Sequence, residues 1–387
     1  MTPAARIAAA IEILDKIGDG AAAEQVLMRW ARGNRFAGSS DRAAIRDHVF
    51  EVLRMRRSAA WLGGAATGRG LMIGLLRSQG IDPESLFTGE GHAPPPLMDH
   101  ELAVPLGEMP EAESWNLPDW LCARFAQDLG ADACRTARAL QGRAPVSLRV
   151  NTSKTNISDA ILMLEKDGIV AQPNALAQTA LTVTSGSRKL RNTTAYRDGF
   201  VELQDASSQA VVEALPQAAR VLDYCAGGGG KALAIAARSG QPVFAHDVNP
   251  ARMGDIAARA ARAGAQITLV EGSALAAAAR FDLALVDAPC TGSGSWRRAP
   301  EAKWRLTHEQ LLQTMALQDR ILDAAAGLVA TGGTLVYATC SVLACENAER
   351  IEAFLQRHPQ WHCRWSRNFA VSDLGDGFYT AQLTQHE

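Results

Sequence analysis

The chain has 387 residues, 47% of them hydrophobic and 21% charged, with a formal net charge of −2. That length supports two or three globular domains, and the composition excludes a disordered or fibrous protein. No apolar run is long enough to cross a bilayer, and near-neutrality gives no global case for nucleic-acid binding.

The first 66 residues have helical periodicity. Ala4–Asp15 carries Arg6, Glu12 and Asp15 within its apolar pattern, so it reads as an amphipathic helix and not as a secretory segment. Ala5–Ile17, Ala21–Arg32 and Asp41–Arg54 each place apolar residues at helical spacing, with Ser40 and Asp41 as the N-cap of the third. Residues 1–70 hold eleven Arg/Lys against seven Asp/Glu, with Arg54, Arg56 and Arg57 together, whereas residues 78–123 hold no Arg or Lys. Local basic patches on a neutral protein suit a selective RNA binder, because phosphate contacts need only local charge. Residues 82–118, acidic and punctuated by Pro94-Pro95-Pro96, read as a connector. Helices are expected from Pro118 to Leu129 and from Ala131 to Leu140.

At Pro145 the pattern changes. Val146–Val150 alternates as a strand, Ser158–Lys166 is helical, and Ala180–Thr184 and Phe200–Leu203 are strands, giving a small α+β module. From Asp205 strands and helices alternate to the end, which predicts a doubly wound parallel sheet. The fold class is therefore α/β with three domains: 1–140 all-α with its acidic connector, 141–204 small α+β, and 205–387 α/β. Further basic clusters occur at Arg188, Lys189 and Arg191, and at Arg297, Arg298, Lys303 and Arg305. Trp296 and Trp304 interleave with the last of these, a pattern suited to stacking on RNA bases; the alternative is that Trp304 anchors a core at the start of a helical region to Ala330.

Seven cysteines without a CxxC pair indicate free thiols in a reducing, cytoplasmic compartment, and no metal site is expected. The histidines lack metal-ligand spacing, and His246 reads as structural.

Strand Val221–Asp223 runs into Tyr224-Cys225 and then Ala226-Gly227-Gly228-Gly229-Gly230-Lys231, with a helix following. Glycines at such a turn let the backbone approach a ligand, and the helix N-terminus favours negative charge. Asp247, twenty residues after Gly227, ends the next strand and suits ribose hydroxyls. The glycine spacing excludes a Walker loop and fits a dinucleotide motif only loosely, which leaves S-adenosyl-L-methionine as the better choice once two downstream thiols are considered. Cys290 follows the apolar run Phe281–Val286 within Asp287-Ala288-Pro289-Cys290, and Cys340 follows Thr334–Ala338. Both read as lying at the carboxyl ends of buried strands, where open α/β sheets hold ligands. Few metal-free reactions need two thiols; methyl transfer to pyrimidine C5 is one. A thiolate added to C6 makes C5 nucleophilic, a second group removes the C5 proton, and an acid at N3 stabilises developing charge. Asp287, Cys290 and Cys340 can supply these roles, with Lys231 favouring a thiolate. Cys122, Cys134, Cys225, Cys345 and Cys363 are assigned to packing.

These residues resemble the Nol/Nop/Sun family of RNA 5-cytosine methyltransferases. The likeness runs over nearly the whole chain and rests on Leu222–Lys231, Val286–Trp304, Tyr337–Leu355 and the Leu203–Gln209 signature. The resemblance implies a Rossmann-like S-adenosyl-L-methionine domain, Cys340 as nucleophile, and Cys290 assisting proton removal and release. It also implies that Cys225, Ala226, Gly227, Gly228, Gly229, Gly230, Lys231, Asp247, Ser273 and Asp287 line the cofactor site. Asp41–Arg57 is similar to the NusB-type domain of the bacterial Sun/RsmB branch, and residues 145–203 to an RRM-like module. RNA, specifically 16S rRNA, is then the expected partner, with no membrane and the protein a monomer. Two departures stand out: Gly227-Gly228 replace Ala-Pro of the family loop, and Ser273 stands where an acidic residue is usual. The alternatives are a tRNA cytosine methyltransferase, a DNA cytosine methyltransferase using the Pro-Cys thiol, or a non-catalytic RNA-binding assembly factor that retains the cofactor.

Overall fold

The computed structural model describes residues 1–103, 107–275 and 277–386, so Val104–Leu106 of the expected connector lie outside the described residues. It divides into two compact units, Met1–Arg143 with Trp296–Arg305, and Ala144–Ser295 with Leu306–Glu387. No described helix is long and apolar enough to cross a membrane.

The first unit is helical. Helices Pro3–Gly18, Ala23–Gly33, Ser39–Arg54, Arg56–Gly63 and Gly68–Ser78 bury one apolar face each, through residues such as Ile7, Ile13, Ile45, Val49 and Met72. Asp119–Leu129 and Ala133–Ala139 follow. The third helix is capped differently from the sequence expectation. Gly38 occupies the N-cap, and Asp41, three residues in, accepts from the Gly38 N–H at 3.2 Å while pairing with Arg6 and the terminal amine. Among the described residues of 82–118 the helical segments are short turns, at Pro83–Ser85, Asp99–Leu102 and Glu111–Ser114.

Parts of two clusters expected to contact RNA are instead internal wiring of this unit, whereas Arg298 and Arg305 stay exposed. Trp296 is 1% exposed and stacks on Phe125 at 6.0 Å; Arg297 is 2% and Lys303 1% exposed. Arg54 Nε donates to the Arg297 carbonyl, Lys303 Nζ to the Arg54 carbonyl, and Trp304 Nε1 to the Leu53 carbonyl. Arg57 is held by Glu113 and Asp119. Long side chains with one polar tip can complete a core when that tip finds a carbonyl, and a basic-aromatic run does not distinguish this from a binding face. The expected continuous helical region from Trp304 is two helices, Glu301–Arg305 and His308–Ala326, because Thr307 and Gln310 form a capping box. Arg188, Lys189 and Arg191 stay exposed on the turn Ser187–Asn192.

The second unit holds two sheets. Strands β1 (Val146–Val150), β2 (Val170–Pro173), β3 (Ala180–Ser185) and β4 (Val201–Leu203) form an antiparallel sheet in the order β2-β3-β1-β4, backed by helix Ile157–Lys166. The sequence reading lacked β2, an edge strand with one buried residue in four and hence almost no alternation. Strands β5 (Val221–Asp223), β6 (Val243–Ala245), β7 (Ile267–Leu269), β8 (Phe281–Asp287), β9 (Val329–Thr339), β10 (Trp361–Phe369) and β11 (Phe378–Gln385) form the larger sheet, in the order β10-β11-β9-β8-β5-β6-β7. The five strands from β9 to the edge strand β7 are parallel, but β11 runs antiparallel to β9 and to β10, so the sheet is mixed and not wholly parallel. The short link between β10 and β11 has no room for a crossover helix, which forces antiparallel pairing. Between β5 and β8 the strand order reverses, and the crevice outside the carboxyl ends of β5, β8 and β9 is where such sheets hold ligands. The sheets are locked together by Arg149, which donates to the Gly230 carbonyl at 2.8 Å, and by Asn151, which donates to the Ala263 carbonyl at 2.8 Å.

Candidate active site

The glycine-rich turn begins where β5 ends. Gly227 and Gly229 have φ of +50° and +77°, a region glycine adopts without strain, and a Cβ on Gly229 would lie 2.8 Å from Ile256. Asp247, at the end of β6 and 3% exposed, accepts from the Gly227 N–H at 3.0 Å and pairs with Arg252 at 3.2 Å. The Ala226 N–H donates to the His246 carbonyl, and His246 Nδ1 meets the Val270 carbonyl at 2.9 Å, a structural role.

Pro289-Cys290 and Cys340 follow β8 and β9 directly, so the parallel pairing of those strands brings the thiols to one end of the sheet. Their sulfurs are 3.4 Å apart, and both side chains are partly exposed. They line a cavity of about 520 Å³ with Cys225, Gly227, Gly228, Gly230, Lys231 and Asp287. Lys231 is 7% exposed and holds the Asp287 carboxylate at 2.6 Å. The two thiols have unlike surroundings. A hydrogen bond from the Cys290 S–H lowers the Cys340 pKa, aided by the Lys231 charge and the Ser295 hydroxyl, against burial and Asp287. Bonding to Cys340, burial and the negative Glu346 hold Cys290 well above the usual thiol value. Cys340 is therefore the more readily ionised of the two, and Cys290 the thiol that donates to it. Burial pushes Cys225 up as well, so it stays protonated.

Asp247 and Ser273 line a neighbouring cavity of about 580 Å³ with Val248, Met253, Leu269 and Glu271. Gly229 packs inward on Ile256 and lines neither cavity. The sequence reading missed Gln204, Ser208, Arg252 and Arg259, which line the thiol cavity, and Glu271 beside Ser273. Gln204 precedes and Ser208 lies within the helix Ala206–Glu213, and Arg252 and Arg259 lie in separate helical segments after Asp247, so no single periodicity links either pair.

Residues suited to a charged, nucleoside-bearing cofactor are thus present: a left-handed glycine turn at a helix start, a buried carboxylate after β6, and an apolar wall. Asp223 precedes this turn and lines neither cavity. It is buried at the end of β5 with both carboxylate oxygens lacking a hydrogen-bond partner among the described residues. Burial first, then the charge of Asp287, raises its carboxyl to about 7. Between its unfolded value of 3.8 and about 7 the folded protein keeps a proton that the unfolded chain has lost, so stability falls as pH rises through that interval. Asp223→Asn is accordingly expected to raise the melting temperature by several degrees at pH 8 and to leave it nearly unchanged at pH 4. Equal shifts at both pH values would contradict the assignment.

Backbone packing closes the site from below. The Gly294 N–H donates to the Cys340 carbonyl, the Gly377 N–H donates to the Gly294 carbonyl, and a Cβ on Gly294 would lie 2.1 Å from the Gly377 oxygen. Gly294→Ala should therefore destabilise the protein by about 1–3 kcal/mol, read by urea unfolding, and lower Cys340 reactivity toward an alkylating probe. Among the described residues no cluster of His, Cys, Asp and Glu is placed to hold a metal.

Comparison with known proteins gives a consistent set of relatives. Residues 210–384 match the family described as 16S rRNA methyltransferase RsmB/F, and residues 117–188 match the RsmF/B-like ferredoxin-like domain. The chain is 34% identical over 283 residues to ribosomal RNA small subunit methyltransferase B of Citrobacter koseri, and 32% identical over 282 residues to that of Serratia proteamaculans. Each alignment covers 69% of this chain and 66% of the relative, just under two thirds of its length. The crystal structure of PH0851 matches with a TM-score of 0.76 at 22% identity, covering 100% of this chain and 99% of that one. A methyltransferase homologue from Pyrococcus horikoshii matches with 0.62 at 24%, covering 71% and 98%. At those identities the two structures bear on the fold, which is Rossmann-like in the larger sheet.

Proposed function

Because the chain belongs to the RsmB/F methyltransferase family, we propose that it methylates C5 of a cytosine in RNA, using S-adenosyl-L-methionine and acting on 16S rRNA in the cytoplasm. The observation that carries this reading is the 3.4 Å approach of the Cys290 and Cys340 sulfurs beside the Lys231–Asp287 ion pair. The turn Cys225–Lys231, Asp247 and the Glu271–Ser273 segment would hold the cofactor, and a serine with a neighbouring glutamate replaces the usual acid at 273. When bound, the cofactor supplies an electrophilic methyl group.

Cys340 thiolate adds to C6 of the target base, breaking the C5=C6 π bond and placing negative charge toward C5 and N3. Asp287 is about one-third exposed with one oxygen fixed by Lys231, so its other oxygen, once protonated from solvent, would donate to N3 as charge develops there. Once the Cys340 sulfur is bonded to carbon, its negative charge no longer holds the proton on Cys290. That thiol can then ionise to water; once C5 has gained the methyl group, the Cys290 thiolate takes the C5 proton, the C5=C6 bond re-forms as the C6–S bond breaks, and Cys340 leaves as thiolate. The target base must leave its stack to reach the cavity.

The test is bisulfite sequencing of total RNA from cells with and without the protein. A cytosine in 16S rRNA that resists conversion only when the protein is present is the expected result. A protected site in tRNA instead would replace the substrate, and no protected site would remove the reading.

A further inference from the structure

A side chain that bonds to neither sulfur is hydrogen-bonded to both loops that carry them. Glu346 is fully buried in the turn Ala344–Glu346. One carboxylate oxygen accepts from the Thr291 N–H at 2.8 Å and from Gln318 Nε2 at 3.1 Å. The other accepts from the Thr291 hydroxyl at 2.5 Å and from the Ser341 hydroxyl at 2.6 Å. Thr291 follows Cys290 and Ser341 follows Cys340, so a single carboxylate grips both cysteine-bearing loops one residue past the sulfur. Gln318 also donates to the carbonyl of Pro289, gripping the first loop on its other side.

The grip extends through the hydroxyls between the loops. Ser341 has one hydroxyl proton, and Glu346 takes it, so Ser341 Oγ is left to accept from the Ser293 hydroxyl at 2.8 Å and from the Leu343 N–H at 3.1 Å. Ser293 Oγ in turn accepts from the Val342 N–H at 2.9 Å. Each hydroxyl rotor between the loops thereby has one orientation. A buried carboxylate pays its desolvation cost only when surrounded by donors, and four donors, three of them on the two cysteine loops, make the arrangement two-sided: the loops solvate the charge, and the charge fixes the loops.

We propose that Glu346 is a positioning residue for the reaction, setting the Cys290–Cys340 separation through Thr291 and Ser341. The proposal rests on the reading of those cysteines as the reacting pair. Displacement by about an ångström at a reacting centre can cost up to a hundredfold in rate, so a change here acts on turnover and not on ligand binding. Glu346→Gln keeps the shape but replaces one acceptor oxygen with an NH₂ group that faces donors.

The test compares full-length wild type with Glu346→Gln in three measurements. The first is the rate at which diamide links Cys290 to Cys340, followed by peptide mass spectrometry. In that step two thiols give up two electrons and two protons to the diazene, which becomes a hydrazine, and a sulfur–sulfur bond forms. The second is kcat and KM for methyl transfer to RNA, and the third is the melting temperature. The variant is expected to link at least about tenfold more slowly and to lose about tenfold or more in kcat, with KM for RNA and cofactor within about twofold. Wild-type linking and turnover in the variant would overturn the proposal. So would a loss that vanishes when the variant is assayed well below its own melting temperature, since that marks a purely structural residue. If the wild type links its thiols but transfers no methyl group, the reading of function fails, while the positioning claim is still decided by the linking rate.

Discussion

Cys290→Ala is expected to stall on its substrate, accumulating an RNA–protein adduct that survives denaturing electrophoresis, whereas Cys340→Ala forms none. The difference follows from the unlike surroundings of two sulfurs 3.4 Å apart. Without Cys290, Cys340 loses its S–H donor but keeps Lys231 and the Ser295 hydroxyl, so its thiolate still forms and still adds to the base. Proton removal from C5 then lacks its base, and because positioned acid–base groups typically contribute about 10²–10⁴-fold, release should slow by that order. In Cys340→Ala the adduct cannot form, and methyl transfer should fall below detection. A trapped complex in Cys340→Ala would move the nucleophile to Cys290, the arrangement expected of a DNA-type enzyme; adduct yields like wild type in both variants would remove the role assignment altogether.

The second large effect is expected at Lys231. Burial alone would lower its pKa, but the charge and hydrogen bond of Asp287 raise it, so the ammonium is retained in the sheet's interior. Lys231→Met leaves the Asp287 and Asp223 carboxyls facing one another without a cation. Breaking a buried pair by removing one partner costs about 3–5 kcal/mol. Because Asp287 is one-third exposed and partly screened, the lower end applies, roughly 6–12 °C in melting temperature. The pH profile should move too. With the cation gone, Cys340 is harder to ionise, so the acidic limb of methyl transfer, or of Cys340 alkylation, shifts to higher pH. An unchanged limb in a folded Lys231→Met protein would mean that the Cys290 hydrogen bond alone sustains the thiolate.

Much of this site was readable from residues alone because its members sit at strand ends, where sequence gives the clearest punctuation. Short apolar runs located β5, β8 and β9, and the residues after them form the cavity. What escaped did so for physical reasons. β2 buries one side chain in four and leaves no period-two trace. β10 exposes most of its length, so nothing in its pattern distinguishes an antiparallel return from another crossover. Lys303 and Trp304 look like part of an RNA-binding run until the Arg54 and Leu53 carbonyls that take their donors are known, and those residues lie some 250 positions earlier. Glu346 is the reverse case: an ordinary acid among helix-forming neighbours, whose role depends on donors from two distant loops.

The helical unit is discontinuous along the chain, since Trp296–Arg305 completes what Met1–Arg143 begins. During synthesis its first 143 residues emerge with the Phe125 ring and the Arg54 and Leu53 carbonyls lacking the groups that later cover them. Some 150 further residues must be translated before the missing piece appears, and at about 5–20 residues per second that interval lasts roughly 8–30 s. The nascent amino-terminal bundle must persist through that wait with part of its interior open, a vulnerable period for aggregation or chaperone capture that a contiguous domain of the same size would not have.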